Sequence, residues 1–217
     1  MKILIPTDIN DITLEQYQRF ALVNVEGAEQ EFLMHKCIEI FCDVDIKLVS
    51  KFPLKDAEEI YLQLMAILND NVKFQTRFEF NGVEYGFIPE LAKMSLGEFI
   101  DLEEGLKDPK EYHKALCAMY RPIVKDYKGL YTIEPYEPNP LKHDEAKQMP
   151  LGIVTSAVVF FYNIANELLQ ASPDYIKKLM KTTDSVEKIN LQKSTGGSIA
   201  FMHYAKVIQQ NLDLLLK

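Results

Sequence analysis

The sequence predicts an α+β fold, mainly α: a helical domain with one small β-hairpin at about residues 73–88. Three observations predict it. Thr13-Leu-Glu-Gln16 and Ser95-Leu-Gly-Glu98 both have the form of a capping box, in which the hydroxyl accepts from the third amide and the Gln or Glu reaches back. Apolar residues recur at helical spacing through most of the chain. Asn81-Gly82 separates two alternating stretches, and a type I′ turn needs positive φ at both of its central residues.

The first capping box opens a helix at Leu14, with Leu14, Tyr17, Phe20 and Ala21 at helical spacing. A second helix follows from about Ala28 to Cys42, its apolar stripe formed by Phe32, Leu33, Cys37, Ile40 and Phe41. Ile46-Lys-Leu-Val reads as extended and Pro53 as a breaker, and Asp56 to Asn69 forms a third helix. The hairpin pairs Lys73–Phe80 with Val83–Ile88. Because a lone ribbon is barely stable in water, the face carrying Phe74, Phe78 and Phe80 with Tyr85 and Phe87 must pack on helices.

The second capping box opens a short helix whose acids Glu98, Asp101, Glu103 and Glu104 complement the helix dipole as solvated charges. Their spacing is not that of a calcium loop. Another helix runs from about Pro109 to Tyr120 and stops at Arg121-Pro122, because the residue before proline disfavours helical geometry. Arg121 can bind a carboxylate bidentately or satisfy the last helix carbonyls, and the second use is the expected one. From Asp126 to Met149 the prolines and Gly129 predict a long ordered connector, helical only over about Lys142–Gln148. The C-terminal third reads as helices over Leu151–Gln170, Pro173–Lys181 and Ser198–Leu216, with a polar, mobile Thr182–Thr195. The chain is expected to be a single domain, 1–217, divisible into 1–125, a connector 126–148 and C-terminal helices 149–217.

A chain of 217 residues with 47% apolar residues can fill a substantial core. Its net charge of −8 disfavours phosphate backbones and anionic membranes, so no specific nucleic-acid binding is expected. Cys37, Cys42 and Cys117 form no C-x-x-C pair, which argues for a reducing compartment and against a disulfide or thiolate-zinc scaffold. The N-terminus is too short in apolar residues before Pro6 for a secretory signal. The uncharged run Gln148–Asn166 approaches the length of a membrane span but reads as a buried helix, so no span is expected. His35, His113, His143 and His203 are scattered, and the phosphate-loop, zinc-hydrolase and nucleophile-elbow patterns do not occur. No catalytic residue, metal or cofactor is assigned.

Tyr85-Gly-Phe-Ile-Pro-Glu-Leu, Met94-Ser-Leu-Gly-Glu-Phe-Ile-Asp-Leu and His113-Lys-Ala-Leu-Cys-Ala-Met-Tyr-Arg-Pro-Ile, with Tyr131-Thr-Ile-Glu-Pro-Tyr-Glu and the run from Met149 to Leu168, carry a resemblance. Together they resemble a family of uncharacterised proteins encoded among the structural genes of tailed bacteriophages, including crAss-like phages. The resemblance spans roughly residues 80–170. It implies a virion-associated protein, made in the host cytoplasm, whose partners are portal, tail or capsid proteins. The crAss-like members suggest cargo stored in capsid and tail and ejected with the genome. A tail-assembly chaperone absent from the mature particle is the alternative. A small hydrolase, with His113 or His143 meeting an acid such as Glu98 in the fold, is the second. The candidate partner contacts are the aromatic and basic residues Tyr85, Phe87, Tyr120, Arg121, Tyr131 and Tyr136.

Overall fold

The computed structural model describes residues 3–163. The chain divides into two compact units, Met1–Ser156 and Ala157–Lys217. The helices expected beyond residue 163, and the segment Thr182–Thr195, lie outside the described residues.

The first unit is mainly helical with a four-stranded antiparallel sheet, an α+β architecture. Thr13 opens α1 (Leu14–Val23) with the reciprocal bonds of a capping box, as its sequence predicts. α2 (Gln30–Phe41) packs on α1 and on α4 (Leu54–Leu68). Cys37, Ile38, Leu14 and Leu64 are fully or almost fully buried in this layer. Each large apolar side chain removed from water there stabilises the fold by about 1.5–3 kcal/mol.

Residues Ile46–Val49, expected to be extended, form a one-turn helix, α3. The cause is local: Asp45 accepts a bond from the Lys47 amide, capping the turn, and helical spacing buries Val49.

α5 (Leu96–Lys107) starts with the second capping box, Ser95 to Glu98. It crosses α6 (Tyr112–Met119) so closely that a Cβ on Gly105 would stand 2.5 Å from the Ala115 nitrogen. Chain reversal at Ile12 is tied to the start of the last described helix. Leu14 N donates to Met149 O (3.0 Å) and Leu151 N to Ile12 O (2.8 Å). That helix, α8, begins at residue 151 and is described to residue 163. No helix among the described residues is long and apolar enough to cross a membrane.

The sheet is larger than one hairpin. β1 (Arg77–Phe80) and β2 (Val83–Phe87) pair through the Asn81-Gly82 turn, with φ of 51° and 74° as a type I′ turn requires. β3 (Tyr120–Tyr127) then pairs with β2, and β4 (Leu130–Ile133) with β3, giving the order β1-β2-β3-β4. Lys128 and Gly129, at φ 53° and 84°, make a second type I′ turn. The stretch from residue 126 to 148, expected to be a connector, thus supplies half of a hairpin, a strap over residues 134–139 and the helix α7 (Pro140–Ala146). A register shift between Ile123 and Lys125 breaks the two-residue period in β3, which hides the strand from a pattern search. α6 meanwhile runs into β3 without a loop, so no turn residue marks the change.

Candidate functional site

Antiparallel partners share a face of the sheet, so the register sorts the six candidate contact residues. Tyr85, Phe87 and Tyr120 lie on one face with Phe78. They form an aromatic cluster, with Phe78 stacked on Tyr85 at 5.4 Å and Tyr120 edge-on to Phe87 at 5.3 Å. Phe74 joins edge-on to Phe87 at 4.9 Å. The expected aromatic face exists, and the Tyr120 hydroxyl donates to Gln75 O (2.5 Å). Tyr85, Phe87, Tyr120 and Arg121 are all buried, so these four side chains serve the interior rather than an open surface. Tyr131 and Tyr136 are half-buried.

The opposite face is polar. Gly86 stands between Arg77 and Arg121 across three strands. The Tyr131 ring crosses over Gly86, where a Cβ would meet that ring and come within 2.9 Å of Ile123 Cγ1. Its hydroxyl donates to Phe87 O at 2.8 Å, with Thr76 O at 3.2 Å. Arg77 lies over the same ring at 5.1 Å and pairs with Glu84 (2.9 Å) and Asp126 (2.5 Å). Asp126 reaches this face only because the register shift in β3 inverts the alternation.

Arg121 is held differently from expectation. It enters β3 instead of capping α6, and its Nη1 lies 2.5 Å from Glu98 Oε1, both side chains being 9% exposed. Its Nε and Nη1 find no aligned acceptor, so the contact is an ion pair without the two-pronged fork. Burial pushes the Glu98 carboxyl up, but bonds from the Ser95 amide and hydroxyl and the Arg121 charge outweigh it and hold it below the usual range. The Tyr136 ring lies 5.7 Å from the guanidinium, and its hydroxyl donates to Asp101. Burial first, and then the bond to Asp101, push the Tyr136 phenol up, so it stays protonated. Glu98 and Asp101 are therefore an internal lock for Arg121 and Tyr136, not the solvated helix-start charges the sequence suggests.

A second polar cluster joins α1, α6 and α7. Gln18 Nε2 donates to Pro109 O (3.1 Å) and Lys110 O (2.8 Å) and lies 3.0 Å from His113 Nδ1. An amide nitrogen cannot accept, and the two carbonyls fix the amide's orientation. His113 Nδ1 must therefore carry its lone pair, which makes the imidazole neutral with its proton on Nε2. Burial first, then Lys147, hold its pKa below the usual value, while Glu111, with Oε2 3.9 Å from Nε2, acts the other way. The His143 ring stands edge-on at 5.9 Å.

Glu98, which the hydrolase hypothesis pairs with a histidine, is engaged by Arg121 and Ser95 instead. Cys117, one helical turn after His113, donates its thiol to Lys142 O (3.4 Å), and burial pushes its pKa up to about 12. A thiol so placed is not an activated nucleophile. Among the described residues no group of three or more His, Cys, Asp and Glu side chains could hold a metal ion.

What remains open at the sheet is its outer end. Val124, Tyr127 and Leu130 are 53%, 71% and 80% exposed on the β3–β4 hairpin. Tyr127 and Leu130 fall in the stretch whose sequence reads as a connector, and Val124 lies just before it, so none of the three stands out as a contact residue from the sequence. Gly129 between two β-branched and aromatic stretches is a partial signal, weakened by the register shift in β3 and by a lysine where Asn81 stands in the first turn. No family model, curated protein or solved structure matches the chain.

Proposed function

We propose that this chain is a bacteriophage virion-associated protein, carried as cargo in capsid or tail and ejected with the genome, that docks on other phage structural proteins. The resemblance over residues 80–170 supports the phage assignment. The observation that carries docking is the apolar end of the β3–β4 hairpin, where Val124, Tyr127 and Leu130 are exposed on an arm made rigid by strand pairing. Exposed apolar groups gathered on an ordered element are what a partner surface buries. The three thiols are free, so passage through a narrow channel would break no disulfide.

Mass spectrometry of purified particles tests the assignment. Stoichiometric presence supports cargo, whereas absence from finished particles together with abundance in infected cells points to the assembly chaperone. The docking part is tested by replacing Val124, Tyr127 and Leu130 together with serine. Loss of incorporation at unchanged melting temperature supports it, and unchanged incorporation overturns it.

A further inference from the structure

A cleft of about 760 Å³ opens between the N-terminal segment and the α2–α3 turn. That volume lies within the range of sites that enclose side chains or small ligands. Its floor is apolar: Phe41 and Val44 are buried, and Leu48 is half-buried beside them.

The charges around the cleft are of one sign among the described residues. Asp11, Asp43 and Asp45 line it, with no Lys or Arg among the described lining residues. Asp11 is held ionised, because bonds from the Thr7 amide and hydroxyl and the Asp8 amide keep its pKa below the usual range. Asp45 uses Oδ1 to cap Lys47 N (2.7 Å), and its other oxygen has no partner among the described residues. Asp43 takes part in no side-chain hydrogen bond or ion pair among the described residues. A cationic group is the electrostatic complement of this rim.

The wall is a segment with spare backbone. Residues 3–6 have neither helix nor strand pairing, and Gln63 Nε2 donates to Pro6 O (3.3 Å). The amides and carbonyls of Ile3, Leu4 and Ile5 have no partner among the described residues. A backbone segment left unpaired among the described residues, beside an apolar floor, suits an added strand, whose main chain bonds to it while alternate side chains enter the cleft.

We propose that this cleft binds an extended segment of a partner protein that alternates apolar with lysine or arginine residues. The apolar set fills the floor over Phe41, Val44 and Leu48. The basic set meets Asp43 and Asp45, and the segment's main chain pairs with residues 3–5. The proposal does not depend on a phage particle, and it is tested on the purified full-length chain.

The probe is a fluorescein-labelled octapeptide alternating valine and lysine, followed by polarisation at low salt. Saturable binding is expected, with at least tenfold weaker binding of the valine–glutamate octapeptide and of a valine–lysine octapeptide N-methylated along its pairing edge. Asp43 has a left-handed backbone, φ 50°, and Asp45 caps α3; the double change Asp43→Asn and Asp45→Asn keeps both, since asparagine suits each. It should weaken binding at least fivefold at unchanged melting temperature. The charge-matched pair Glu58→Gln and Glu59→Gln, on an exposed part of α4, should leave affinity unchanged. Equal binding of the lysine and glutamate peptides, no saturation, or equal loss from both double variants would overturn the proposal. Particle proteomics is untouched by any of these results.

Discussion

At the scale of single residues, the chain's most consequential charges are inside it. Arg121 and Glu98 are desolvated together, and a buried pair that loses one member leaves the other uncompensated. Glu98→Gln should therefore cost about 3 kcal/mol in urea unfolding, and Glu98→Gln with Arg121→Met should cost less than the single change. A single-variant loss below about 1 kcal/mol would place the pair with weak surface bridges. His113 makes a different prediction. Its folded pKa lies below the unfolded value, so as pH falls the unfolded chain takes the proton first. The stability tied to neutral His113 is fully present above pH 6.5 and is lost as pH drops from there through the lowered folded value. The slope can reach about 1.4 kcal/mol per pH unit for one proton. His113→Gln, which offers Gln18 an acceptor without titrating, should flatten the stability profile below pH 6.5. An identical profile would show that another group controls it.

At the scale of elements, the sheet depends on one missing side chain. Gly86 lets the Tyr131 ring cross β2 and reach Phe87 O, joining β4 to β2 over the intervening strand. Gly86→Ala should displace that ring and lower stability by about 1–3 kcal/mol, read from denaturant midpoints. Gly86→Ala combined with Tyr131→Ala should recover part of the loss, because the clash and its partner are removed together. The two type I′ turns are a contrast in legibility. Asn81-Gly82 announces a hairpin because both residue types accept positive φ readily, whereas Lys128 sits at φ 53° without that advantage. Asn is the more favourable residue there, so Lys128→Asn should leave the fold unchanged and raise stability by a few tenths of a kcal/mol in the same assay.

At the scale of the molecule, the described fold is held by packing, the buried pair and backbone bonds, with all three cysteines as free thiols. Burial raises the Cys37 and Cys117 pKa values to about 12 and that of Cys42 to about 11, which keeps them unreactive in the folded state. A reductant should therefore leave the melting temperature unchanged, and a fall on adding one would reveal a crosslink. The proposed virion role draws on this reversibility, and the proposed peptide cleft adds a docking surface remote in sequence from the resembling segments.

The sequence by itself determined the mainly helical α+β class, both capping boxes and the first hairpin. Those features are set by bonds and φ angles within a few residues of chain. Only the tertiary structure decided that Arg121 meets Glu98, that Tyr131 crosses Gly86, and that β3 and β4 complete the sheet. Each depends on residues brought together from distant positions, with a register shift that erases the local period. It also decided that four of the six candidate contact residues face inward, because an aromatic residue fits a core as well as a surface and only its neighbours in space settle which.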